Sequence, residues 1–198
     1  MVDNLVLLDN VPYSRNSVCN RNKIKTSRGW EWLTVPVHHR FGEEILEIET
    51  DDSGWEGKHW KTILFNYSRA PHFDEFSPGL EDIYAKRWTK LAELNEALIR
   101  LLLDYFNILT RIYKASDLGV GGKGTALLVN ICKAVADGEY LSGAGADGYL
   151  EPSVFEKEGI SVRFQQFVCP EYPQRFGEFI RNLSAIDYLF NCGAKAWF

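Results

Sequence analysis

The feature that most constrains the fold is the change of hydrophobic period after residue 110. From there, apolar runs of strand length alternate with runs of helical period, and glycines mark the junctions. Residues 111–116 read as a strand, and the glycine-rich turn 119–124 follows. Residues 125–136 then place Leu127, Leu128, Ile131, Cys132 and Val135 on one helical face, with Gly138 at the C-terminal end. Residues 140–142 form a strand running into Gly143-Ala144-Gly145. A short helix at 152–158, a strand at 161–167 and a last helix at 182–191, stopped by Gly193, complete the series. Strand–helix–strand order of this kind implies parallel strands with right-handed crossovers. The expected fold class is α/β: a mostly parallel, Rossmann-like sheet with helices on both faces.

The first half has a different texture. Leu5-Val6-Leu7-Leu8 suits a buried strand. Residues 30–37 alternate, with Leu33, Val35 and Val37 on one face and Trp32 and Thr34 on the other, and residues 45–48 read as a further strand. Helical spacing then takes over. In 58–69, Trp60, Ile63, Leu64 and Tyr67 form a stripe, and Pro71 ends the helix. Residues 72–88 read as irregular, broken at Pro78-Gly79. A long helix capped by Thr89 follows, with Leu91, Leu94, Leu98, Leu101, Leu102 and Tyr105 on one side. The expectation is one domain over residues 1–198, with a helical insertion over about 57–108.

Composition narrows the function classes. The chain has 198 residues, 22 Lys plus Arg against 27 Asp plus Glu, and a net charge of −5. That acidity argues against nonspecific nucleic-acid binding. No apolar run reaches the length of a membrane span, and the N-terminus lacks the pattern of a signal peptide, so a cytoplasmic location is expected. The four cysteines are scattered without a Cys-x-x-Cys pair, which reads as reduced thiols and no metal site.

Chemistry is expected beyond the carboxyl ends of the strands. The turn 119–125 has close-approach glycines, the Lys123 charge and a helix N-terminus, which suit a phosphate; a solvated turn is the plain alternative. It is not a Walker A loop, since Asp117 and Gly124 stand where that pattern needs Gly and Ser or Thr. The turn 142–149 offers Ser142, Gly143, Asp147 and Tyr149 to a ligand, or is simply a strand-to-helix turn. Arg21, within Asn20-Arg21-Asn22-Lys23, suits a bidentate carboxylate or phosphate, or a surface ion pair. His38 and His39 are adjacent, so on a strand they face opposite ways. His59 sits beside Lys58 in a helix and shares a face with Ile63 and Asn66, where it can move a proton near neutral pH. His72 is ambiguous, and Gly-x-Ser-x-Gly is absent.

Several motifs occur in order along nearly the whole chain. They are Asn20-Arg21-Asn22-Lys23-Ile24, Trp32-Leu33-Thr34-Val35-Pro36-Val37, and Lys58-His59-Trp60-Lys61-Thr62-Ile63 with Asn66-Tyr67. Tyr140-Leu141-Ser142-Gly143, Tyr172-Pro173-Gln174 and Leu183-Ser184-Ala185-Ile186-Asp187 follow. This ordered set resembles the WbqC-like family. The resemblance implies work on activated sugars in bacterial surface-polysaccharide (O-antigen) assembly, as a transferase attaching an acyl or aminoacyl group to an amino sugar. It implies a small-molecule substrate, and a nucleotide or nucleotide-linked sugar as the bound group. On that reading Arg21 and Lys123 anchor anions. Lys58 and His59 serve as charge partner and proton carrier, Ser142, Gly143 and Tyr149 hold the ligand, and Asn66 and Gln174 orient a polar group. Family members begin with a further strand and a Gln-Pro-containing, aromatic-rich turn before the segment matching Leu5 to Asp9, so the resemblance implies either a shortened form or a start that lies upstream. Two other readings stay open: a nucleotide-dependent enzyme activating a carboxylate or sugar phosphate, and a non-catalytic binding protein.

Overall fold

In chain order the elements are β1 (Asn4–Leu7), β2 (Arg21–Thr26), β3 (Gly29–Thr34), β4 (Val37–His38), β5 (Glu49–Thr50), α1 (Trp55–Tyr67), α2 (Phe73–Tyr84) and α3 (Leu91–Tyr105). They continue with β6 (Arg111–Lys114), α4 (Gly124–Ala134), β7 (Glu139–Ser142), α5 (Pro152–Glu156), β8 (Ser161–Phe164) and α6 (Ala185–Cys192). This computed structural model describes residues 2–146, 148 and 150–195. Asp147 and Tyr149, both expected near a ligand, lie outside the described residues. The architecture is mixed α/β, with six helices and small parallel and antiparallel sheets among the described residues. The chain divides into two compact units, one of residues 1–10 and 110–168, the other of residues 11–109 and 169–198.

In the first unit β1 pairs with β6 and β7 with β8, both parallel, and α5 lies in the crossover between β7 and β8. The buried Asp9 carboxylate (5 % exposed) ties the ends of β1 and β6: it accepts the Ser116 amide at 2.9 Å and the Ser116 hydroxyl at 2.6 Å. The core lies between α4, α5 and the β7–β8 pair, with Val129, Cys132, Leu150, Phe155 and Ile160 buried together. A cavity of about 530 Å³ runs between β1 and β7. Consecutive residues of both strands line it, Asn4, Leu5 and Val6 on one side and Glu139, Tyr140 and Leu141 on the other. Side chains alternate faces along a strand, so this cavity follows the strand edges and not one face of a sheet.

The second unit is mostly helical. The β2–β3 hairpin packs on α1, α2, α3 and α6, and Ile24, Ile63, Tyr67, Phe73, Leu80, Leu189 and Phe190 form its largest buried cluster. Polar groups are buried there too, and one network of them is paired around Asp187. Asp187 is fully buried and accepts the hydroxyls of Tyr67 at 2.6 Å and Tyr172 at 2.9 Å. The Tyr67 oxygen accepts the Lys25 amide at 2.8 Å. The Lys25 ammonium (residue 1 % exposed) donates to Gln174 Oε1 at 3.1 Å and to the Glu178 carbonyl. Burial raises the Asp187 carboxyl and lowers the Lys25 ammonium relative to their ordinary values. The network fixes the hairpin, α1 and the C-terminal segment in one arrangement.

Three local expectations are corrected. Residues 45–48 are not a strand: Ile45–Glu47 is a single 3-10 turn, closed by the reciprocal pairing of Glu44 and Glu47 at its start. Residues 73–84, within the stretch expected to be irregular, are helical, because α2 runs straight through Pro78. Proline there removes one backbone donor, and the Gly79 amide beside it donates to the Tyr105 hydroxyl at 3.1 Å. The amphipathic stripe Phe73, Phe76, Leu80 and Ile83, buried against α1 and α3, outweighs the lost bond. The long helix α3 is capped by Lys90, one residue beyond Thr89.

Candidate functional site

The second unit holds a cavity of about 390 Å³. Its walls come from the segment before β2, from the two hairpin strands, from α1, α2 and α3, and from the start of α6. Leu33, Val35, Leu80, Leu94, Leu98 and Leu102 make most of it apolar, while Asn20, Arg21, His59, Tyr84, Asn95 and Ser184 supply polar groups. Among the described residues no Asp or Glu lines it.

His59 reaches the cavity because α1 carries it on the same face as Ile63, Asn66 and Tyr67, which are buried. The residue is 8 % exposed, and Nε2 lies 3.0 Å from the Thr34 carbonyl oxygen. A carbonyl only accepts, so Nε2 carries the hydrogen and the neutral ring keeps its lone pair on Nδ1. Nδ1 is buried and has no protein partner. Burial lowers the His59 pKa from its ordinary value, against smaller opposing contributions from the Thr34 carbonyl and Glu56. The ring packs against Trp55 at 5.1 Å and Tyr84 at 6.0 Å between centroids. The result is a neutral imidazole with one fixed donor and one free acceptor. The Tyr84 phenol is pushed up to about 12 by burial, so it keeps its proton.

Arg21 opens β2, with its guanidinium 4.2 Å over the Trp32 ring. Stacking occupies the face of the cation and leaves its in-plane fork available to an anion. Its Nε is buried and unpartnered. Asn20 is 5 % exposed; its Nδ2 donates to the Val35 carbonyl at 3.1 Å, and its Oδ1 has no protein partner. Three residues of the cavity wall therefore each hold one buried polar atom without a protein partner: an imidazole acceptor, an amide acceptor and a guanidinium donor. Leaving such atoms unpaired costs about 1–3 kcal/mol each, and a bound molecule that pairs them recovers that cost.

Of the residues expected from sequence, Arg21 and His59 line this cavity. Lys58 is exposed on the other side of α1. Asn66 is buried and spends its amide on the Thr62 carbonyl at 2.9 Å. Gln174 braces its own loop, accepting the Ile180 amide at 2.8 Å and donating to the Ile180 carbonyl at 2.9 Å. Lys123, Ser142 and Gly143 belong to the first unit. Lys123 is exposed at the N-cap of α4, Ser142 is buried at the end of β7, and Gly143 is exposed just after it. Tyr84, Asn95 and Ser184 were not anticipated. Asn95 had a signal: it sits on the Leu91–Leu98–Leu102 face of α3, a polar residue in an apolar stripe.

These features define a mixed α/β protein whose helical unit encloses an apolar cavity with a neutral histidine and an arginine in its wall. The chain belongs to the WbqC-like protein family, which it matches over residues 1–197. It is 37% identical over 199 residues to the uncharacterized protein Rv1507c of Mycobacterium tuberculosis, covering 98% of this chain and 86% of that one. No solved structure matches it. Among the described residues no helix is long and apolar enough to cross a membrane, and no three His, Cys, Asp or Glu side chains gather as a metal ion would need.

Proposed function

We propose that this protein is a transferase of bacterial surface-polysaccharide or nucleotide-sugar assembly, and that it moves an acyl group onto the amine of an amino sugar in the cavity of its second unit. The observation that carries this reading is the buried, neutral His59 with Nδ1 free, in the same cavity wall as Arg21. The kinship with the WbqC-like family supports the choice of pathway.

The sugar amine attacks the carbonyl carbon of an activated acyl donor, forming a C–N bond. The bond from that carbon to the donor's sulfur or oxygen breaks. His59 Nδ1 takes the proton that the amine loses and returns it to the leaving group. Arg21 pairs with the oxygen that gains negative charge as the carbonyl is attacked.

The test is to incubate the protein with nucleotide-linked amino sugars and acyl thioesters and to follow the mass of the sugar. Acylation should add the acyl mass with loss of one amine proton. H59Q should lower kcat by about 10²–10⁴-fold with little change in KM. Wild-type turnover in H59Q would remove His59 from the chemistry.

A further inference from the structure

We infer that the cavity takes a plain aliphatic acyl chain with its carboxyl end at Arg21, and that it discriminates against an aminoacyl group. This deepens the transferase reading, and it rests on that reading only in calling the chain a donor.

The lining decides between the two classes. An aminoacyl group brings an α-ammonium within two bonds of its carbonyl. Burying that charge is costly unless a carboxylate pairs with it. Among the described residues no carboxylate lines the cavity, and the cation Arg21 does. The two unpartnered acceptors, His59 Nδ1 and Asn20 Oδ1, are neutral and suit the N–H or O–H groups of an uncharged amine or alcohol. They fit the attacking group better than a second cation. An aliphatic chain, by contrast, meets leucine side chains from the hairpin, α2 and α3. Each methylene it buries is worth about 0.8 kcal/mol, or about fourfold in affinity.

The experiment measures binding of butanoate, hexanoate and octanoate, with norleucine and 1-hexanol as controls, by tryptophan fluorescence and thermal shift. Trp55 is the reporter, its ring 5.1 Å from that of His59. Affinity should rise about fourfold per methylene, and norleucine should bind at least about tenfold more weakly than hexanoate. Arg21→Gln should weaken hexanoate by about tenfold or more and leave 1-hexanol unchanged, which also shows that the cavity is intact. A flat chain-length series, or norleucine binding as tightly as hexanoate, overturns the inference. The two claims fail separately. Graded binding of these acids without acyl transfer sinks the transferase reading and leaves the chain site standing. Transfer of amino acids in preference to fatty acyl groups sinks the chain site and leaves the transferase reading standing.

Discussion

In the proposed reaction a single residue, His59, carries most of the chemistry, and its burial has two consequences with definite signs. The folded pKa lies below the ordinary value of 6.5. The unfolded chain therefore takes up the proton first as pH falls, and stability that is complete above about pH 6.5 is lost as pH drops through the lower folded value. Urea denaturation at a series of pH values should show this slope in the wild type and a flatter one in H59Q. The acid limb of kcat/KM should likewise lie below pH 6.5. Asp187 is a different kind of buried residue. Its carboxylate receives two hydroxyls and lines neither of the cavities described. D187A strands both, and should cost about 2–5 kcal/mol in denaturation. His59 was legible in the sequence because helical spacing placed it on the face of Ile63 and Asn66. Tyr84 was not, because its role comes from the folding of α2 against α1, and no local pattern records that contact.

Among the elements, α1 and α2 carry glycines with opposite constraints. Gly57 lies on the exposed side of α1 with open space where a Cβ would stand, so G57A should stabilise by about 0.5–1 kcal/mol. Gly79 lies in α2 under the Tyr105 hydroxyl and Leu101, and a Cβ there would overlap both. G79A should destabilise by about 1–3 kcal/mol, with loss of the bond from the Gly79 amide to Tyr105. Thermal denaturation of the two variants checks the contrast. The same pair explains what the sequence left hidden. Pro78-Gly79 carries a strong local breaker signal, yet the helix persists because its buried stripe packs on α1 and α3, and Tyr105, 26 positions away, accepts the Gly79 amide. Periodic segments such as α3 and α4 were readable because their apolar faces repeat within the segment. The turn at Ile45–Glu47 was not, since three apolar-rich residues fit strand or helix equally.

At the scale of the molecule, the two units have separate hydrophobic cores. Trp30, Trp32, Trp55, Trp60 and Trp88 all belong to the second unit, so their emission reports that unit. D187A should lower the fluorescence midpoint while amide exchange in β6 and β8 stays as in the wild type. Equal loss of protection in both units would show that they unfold as one. Strand–helix alternation pointed to the parallel β7–β8 pair of the first unit from sequence, whereas the β1–β6 pair joins segments about a hundred residues apart that no local pattern links. The cavity of the second was visible only as Arg21 and His59, because its remaining walls come from segments far apart in the chain. The proposed chemistry depends on that cavity and on the state of one imidazole in its wall. Nitrogen NMR of the His59 ring, followed from pH 8 to pH 5 with and without hexanoate, tests it most directly. The ring should be neutral and protonated on Nε2, titrate below pH 6.5, and show an Nδ1 resonance that moves when hexanoate fills the cavity. A ring charged at neutral pH, or protonated on Nδ1, or indifferent to hexanoate, would contradict it.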